Sequence, residues 1–106
     1  MKRVSLEVIK ALKEAGYKFT PIQSSFFVND TNAWYSEEDA ELYSLPYVME
    51  VWLWLWREKN IYIGLEAESY PHNGMCVPSY IDAPYSDPEE AIIAAIEHLV
   101  NNDLIK

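Results

Sequence analysis

Cys76 and His72 stand four residues apart, and an imidazole beside a thiol can hold it as a reactive thiolate. The sequence offers no third residue to orient such a pair, and a small cysteine on an apolar strand is the commoner arrangement. Glu66 and Glu68 alternate on one strand face, which brings two carboxylates near enough for acid–base work or a divalent cation. The same spacing is also what the wet face of a half-exposed sheet looks like. His98, with Glu97 and Asn101 close by, has no second ligand at a metal-binding distance along the chain. The three glycines, Gly16, Gly64 and Gly74, are scattered, so no phosphate-cradling loop exists, and there is no Gly-x-Ser-x-Gly elbow.

The frame for these residues is short and acidic. The chain has 106 residues and a formal charge of −9, which fits a single domain spanning 1–106. Half the residues are hydrophobic, enough for a core without disulfides; Cys76 is the only cysteine, so no internal disulfide or multi-cysteine zinc site can form. Charged residues interrupt the start before any signal-like apolar stretch, and the cytoplasm is the expected compartment. Five of the eight basic residues fall within the first eighteen positions, and none lies between Phe19 and Trp56. Nucleic-acid binding needs clustered cations, so direct binding to nucleic acid is not expected; a basic partner suits the charge better.

The elements must then be read from periodicity. Ser5–Ala15 has a helical stripe of Leu6, Val8, Ile9, Leu12 and Ala15, stopped by Gly16. Tyr17–Val28 reads as extended, with Pro21 pointing to an edge, and Asn29–Asn32 as a turn into a short strand at Ala33–Tyr35. Ser36–Glu41 is acidic and predicts a loop or a single helical turn. The segment Val51-Trp52-Leu53-Trp54-Leu55-Trp56 carries three of the four tryptophans. It is too short to cross a membrane, which takes roughly 20 apolar residues.

That tryptophan run fits a strand or a helix. As a strand it would alternate and turn back through Glu58-Lys59. As a helix over 46–59 it would place Val48, Val51, Trp52, Leu55 and Trp56 on one face, Arg57 and Lys59 at the negative end of the dipole, and Asn60 in a left-handed cap. The connector Arg57–Asn60 lacks glycine, and helix formers dominate, so the helix is preferred. Ile61–Glu68 then alternates as a strand, Tyr70–Gly74 is a turn, and Met75–Ile81 is a weaker strand with Pro78 at an edge. The final helix, 88–101, is the clearest: Asp87 caps it, Pro88 opens it, Glu90 completes a capping box, and Ala91, Ile92, Ala95, Ile96 and Leu99 form the buried stripe.

Three segments in this order resemble a group of small proteins from phages and mobile elements of gut Bacteroidetes. They are Val8-Ile9-Lys10-Ala11-Leu12-Lys13-Glu14-Ala15-Gly16-Tyr17, then Trp54-Leu55-Trp56-Arg57-Glu58-Lys59-Asn60-Ile61-Tyr62-Ile63, then Tyr85-Ser86-Asp87-Pro88-Glu89-Glu90-Ala91-Ile92 with the ending Asn102-Asp103-Leu104-Ile105. The resemblance covers about a third of the chain. It implies a central helix leading into a strand and brings no catalytic residues. In that group the centre has one Trp-Leu before Arg-Glu; Trp52 and the inserted Trp56 depart from this.

The expectation is therefore an α+β domain, order α-β-β-α-β-β-α, with a small antiparallel sheet packed on helices. Its expected role is that of a non-enzymatic accessory or interaction protein of a phage or mobile element. It would bind a protein partner through an acidic and aromatic surface, with Tyr47, Trp54 and Trp34 as binding residues and no metal or cofactor. A homodimer is an open variant of that reading, and no membrane partner is expected. A narrower version has the acidic surface imitate nucleic-acid phosphates. The competing class is a small enzyme or ligand-binding domain using Cys76/His72 or Glu66/Glu68.

Overall fold

A computed structural model describes residues 2–22, 32–67 and 74–105. A 3₁₀ turn at Leu6–Val8 runs into helix α1, Ile9–Glu14. Strands β1, Ala33–Ser36, and β2, Glu41–Ser44, form a hairpin. Helix α2, Val48–Lys59, is followed by β3, Leu65–Ala67, and β4, Cys76–Pro78, and helix α3, Pro88–Asn101, closes the chain. The α+β class and the element order match the expectation. The strands are divided between two antiparallel two-stranded sheets, β1–β2 and β3–β4.

Helices build most of the core. Val8, Ile9 and Leu12 meet Val48, Val51 and Leu55 of α2 and the stripe Ala91, Ile92, Ala95, Ile96 and Leu99 of α3, with Val4, Leu45, Ile63 and Ile105 filling the margins. The α3 stripe is the expected one. Asp87 accepts the Glu89 N–H at 2.9 Å, so one orphan donor of the first turn is capped. Glu90 does not reach back to complete a box; it binds the Lys2 ammonium, which lies 3.2 Å from Asp87. The N-terminal strap is thereby tied to the positive end of α3 by carboxylates that the helix dipole already favours.

The tryptophan run is a helix. It begins two residues later than expected, because Pro46 and Tyr47 pair with the N-terminal strap: the Val4 N–H donates to Pro46 and the Val48 N–H to Lys2. Asn60 adopts the left-handed cap at φ 54°, and the Ile61 N–H closes on Leu55 at 3.0 Å. Two residues of the expected apolar stripes are not covered. Leu6 is 63% exposed, since the first turn is 3₁₀ and rotates it outward, and Trp56 is 49% exposed.

The first hairpin differs from its expected position. Its loop is residues 37–40, and the segment read as a loop or helical turn instead ends β1 and starts β2. The Ser36 hydroxyl accepts the Asp39 N–H at 3.2 Å, and Ala40 takes φ 53°, which reverses the chain in four residues. Thr20–Ile22 runs along the other side of β2: the Ser44 N–H donates to Thr20 at 2.9 Å and the Ile22 N–H to Leu42 at 2.8 Å, with Pro21 bridging Tyr43. The remainder of the expected strand, Gln23–Val28, and Asn29–Thr31 of the expected turn lie outside the described residues.

In the second sheet Glu66 opposes Val77. Cys76 faces away from β3 and exchanges two backbone hydrogen bonds, both 2.8 Å, with Tyr85. Pro78 shares that outward parity, so its missing N–H leaves no gap in the β3 ladder.

Candidate binding surface

Helix α2 buries the line Val48, Val51 and Leu55, which leaves two flanks. Successive residues turn by about 100°, so Glu50, Trp54 and Glu58 share one flank, and Met49, Trp52 and Trp56 share the other. The first flank meets the segment after α1. Gly16, at φ 96°, reverses the chain there, and the Tyr17 N–H closes on Leu12 at 2.9 Å. Tyr17 is thus laid against Trp54, edge to face at 5.2 Å. Burial, and secondarily the Glu50 charge, push the Tyr17 phenol up to about 12.

Gly16, Tyr17, Lys18, Glu50, Trp54 and Glu58 line a groove of about 450 Å³. Tyr17 and Glu50 also line an adjoining cavity of about 200 Å³ that reaches Tyr47. Two of the expected binding residues, Tyr47 and Trp54, therefore border two neighbouring cavities that share Tyr17 and Glu50 in their linings. Tyr47 carries the Arg3 guanidinium over its ring at 4.1 Å, and Arg3 also donates to the Tyr47 hydroxyl and to the Leu45 carbonyl. The Lys59 ammonium lies 5.5 Å from the Trp54 ring centre. Both rings thus already hold a cation of their own chain, as the negative π-face favours.

Trp34, the third expected residue, is elsewhere. It stacks on Tyr43 at 5.2 Å and meets Phe19 edge-on at 5.0 Å. Phe19 in turn touches Tyr17, so a chain of rings connects Trp34 to Trp54 without placing them on one surface. The Trp34 indole N–H is buried with no acceptor among the described residues. Beside Trp34 the Lys13 ammonium binds the Ser36 hydroxyl, Glu38 and Asp39 at 3.0–3.1 Å. That ammonium, and then the Tyr43 hydroxyl, hold the Asp39 carboxyl below its usual range.

The second flank of α2 carries none of the three expected binding residues. Trp52, Trp56 and Tyr62 form a three-ring cluster with centroids 5.3–5.8 Å apart. Trp56 and Tyr62 remain 49% and 54% exposed. The Trp52 indole donates to the Ile63 carbonyl at 2.8 Å, which fixes the chain leaving α2 against the helix. The signal in the sequence is the helical spacing of Trp52 and Trp56, which the expected apolar face groups with Val48, Val51 and Leu55.

The residues singled out for chemistry are dispersed or not described. The Cys76 thiol is half-buried and donates to the Tyr85 carbonyl at 3.5 Å, a use that knits β4 to Tyr85. His72 and Glu68 lie outside the described residues, and Glu66 is exposed, as are both its neighbours in β3. His98 accepts the Asn102 side-chain amide through its carbonyl at 2.8 Å at the end of α3. Among the described residues, no group of three or more His, Cys, Asp or Glu could hold a metal ion, and no helix is long and apolar enough to cross a membrane. No protein-family model, curated protein or solved structure matches the chain.

Proposed function

We propose that this chain is a non-enzymatic accessory protein that binds a basic segment of a protein partner along the acidic and aromatic flank of α2. The observation that carries the reading is Trp54, half-buried between Glu50 and Glu58 one turn to either side and opening on a groove of about 450 Å³. An indole face framed by two carboxylates suits an arginine or lysine side chain. Cation–π attraction contributes about 0.5–2 kcal/mol, and buried tryptophans commonly anchor protein interfaces. The partner's cation would take the place that Lys59 holds over Trp54 in the free chain. The net charge of −9 would steer a basic partner toward the whole molecule. We place this role in the cytoplasm of a cell carrying a phage or mobile element, on the strength of the sequence resemblance.

The test is quantitative capture with immobilised wild type, Trp54→Ala and the Glu50→Gln/Glu58→Gln double variant, at low and high salt. The reading expects a partner held by the wild type and released by salt. Both variants should lose it while their melting transitions stay cooperative. Equal capture by all three proteins would refute it. The ring cluster Trp52, Trp56 and Tyr62 favours one further reading, self-association through the opposite flank. Light-scattering mass during size-exclusion chromatography distinguishes the two: a dimer that survives high salt would put the apolar flank at a subunit interface.

A further inference from the structure

We infer that the outer edge of β1 accepts an extended segment of a partner protein as an added strand, with a carboxylate of that segment held by Lys10. This surface is separate from the α2 flank and does not depend on it.

Among the described residues, the hydrogen-bond parity of the first sheet leaves this edge unpaired. The Leu42 carbonyl accepts the Ile22 N–H and the Ser44 N–H donates to the Thr20 carbonyl, while the Leu45 N–H donates to the Asn32 carbonyl. In an antiparallel ladder each residue points its N–H and C=O to one side. With the register Trp34 opposite Tyr43 and Ser36 opposite Glu41, those two pairs carry the β1–β2 bonds. Ala33 and Tyr35 therefore turn their donors and acceptors away from β2, and among the described residues no strand occupies that side. Tyr35 is 59% exposed, so the edge is not shielded by its own side chain.

A groove runs along this edge. Leu6, Ile9, Lys10 and Lys13 of the first helical segment form one wall, and Ala33, Trp34 and Tyr35 form the other, enclosing about 580 Å³. An added strand lies about 4.8 Å from its neighbour and alternates its side chains between faces. Its inward residues would cover Leu6 and the exposed part of Trp34, which argues for apolar types at every second position. The groove's charged rim consists of two lysines. Lys13 is already committed to Glu38 and Asp39 and holds the hairpin to α1, which keeps the groove formed before any ligand arrives. Lys10 is exposed on the same wall. Its ammonium selects a carboxylate on the incoming strand, so the occupant is an apolar strand bearing acidic residues, the opposite charge class from the ligand of the α2 groove. Strand addition with backbone bonds for affinity and alternate side chains for selectivity is an established mode of peptide recognition.

The experiment is an amide-resolved NMR titration of the full chain with two blocked octapeptides, one alternating valine and glutamate and one alternating valine and lysine. The valine–glutamate peptide should shift the amides of residues 33–36 and Lys10. Methylating its alternate backbone nitrogens should weaken it about tenfold or more, the value of one or two hydrogen bonds. Tyr35→Pro removes an outward N–H without touching the β2 ladder and should lose the peptide while the melting transition is kept. Lys10→Glu should reverse the preference between the two peptides. Equal binding of both peptides by the wild type, shifts confined to other regions, or no shift with either peptide would overturn the inference. A dimer whose residue 33 and 35 amides are already protected from exchange would overturn it too, by making a second copy the occupant.

Discussion

Replacing Trp52 by phenylalanine should destabilise the fold far more than the same change at Trp56, four residues away on the same flank. The Trp52 indole N–H donates to the Ile63 carbonyl at 2.8 Å, and Ile63 is buried. Phenylalanine keeps a ring against Trp56 and Tyr62 but has no donor, so the carbonyl is left unpaired at a cost of about 1–3 kcal/mol. The smaller ring also gives up roughly 0.5–1 kcal/mol of burial and ring contact. A loss of about 1.5–4 kcal/mol is expected, which in a domain near this size lowers the melting temperature by roughly 6–30 °C. Trp56, half exposed, should lose less than about 1 kcal/mol on the same change. Urea unfolding followed by far-ultraviolet circular dichroism measures both without relying on tryptophan emission. Slow hydrogen exchange of the Trp52 indole in the wild type checks the bond directly. Equal losses in the two variants, or a Trp52→Phe protein as stable as the wild type, would refute the assignment of Trp52 as the clamp that positions Tyr62.

Other outcomes follow from the same geometry. Leu55→Ala removes a side chain with no exposed surface and should cost about 2–5 kcal/mol, whereas Leu53→Ala, two residues away and partly exposed, should cost less than about 1 kcal/mol by denaturant titration. Gly16→Ala meets no atom within 4 Å, so its effect isolates the backbone; at φ 96° an added Cβ should cost roughly 1–2 kcal/mol and loosen Tyr17 from Trp54, visible as a changed tryptophan emission. Stability should be flat around neutral pH and fall at both ends. Asp39 and Asp87 are held low, by Lys13 and by the Glu89 N–H respectively, so their contribution is present above the unfolded carboxylate range near 4 and is lost as pH falls through their folded values. Tyr17 and Tyr43 are raised to about 12, chiefly by burial, and Lys2 and Lys13 are raised by bonds to carboxylates led by Glu90 and Asp39. Their contribution is complete below about 10 and is lost as pH rises through the folded values. A pH series of urea midpoints checks both limbs; a midpoint that keeps rising above about pH 10 would refute the alkaline one.

Local chemistry determined several features directly. Asp87-Pro88 starts α3 because a carboxylate caps and a proline loses nothing at the first turn. The apolar spacing from Ala91 to Leu99 lies on one stripe, and all five of its residues are buried. Asn60 ends α2 because asparagine tolerates the left-handed conformation, and Gly16 ends the first helical segment for the same steric reason. These signals act within one turn of chain and need no knowledge of neighbours.

Tertiary packing decided the rest. The apolar stripe of α2 is wider than the area its neighbours cover, so Val51 and Leu55 are buried while Trp56, equally apolar, faces solvent with Tyr62. Helical spacing alone cannot say which edge of a wide stripe is covered. Ser36–Glu41 reads as acidic turn chemistry, yet its ends are strands because Lys13, remote in sequence, binds Ser36, Glu38 and Asp39 and anchors the hairpin to α1. Tyr47 and Trp54 are legible as aromatic candidates, but the neighbouring cavities they border depend on Tyr17 arriving from another element. The outer edge of β1, which no strand pairs among the described residues, is the least local feature of all. It follows from Thr20–Ile22 pairing with β2 and not with β1, a choice between two strand faces that residue types leave equal and only long-range hydrogen bonding resolves.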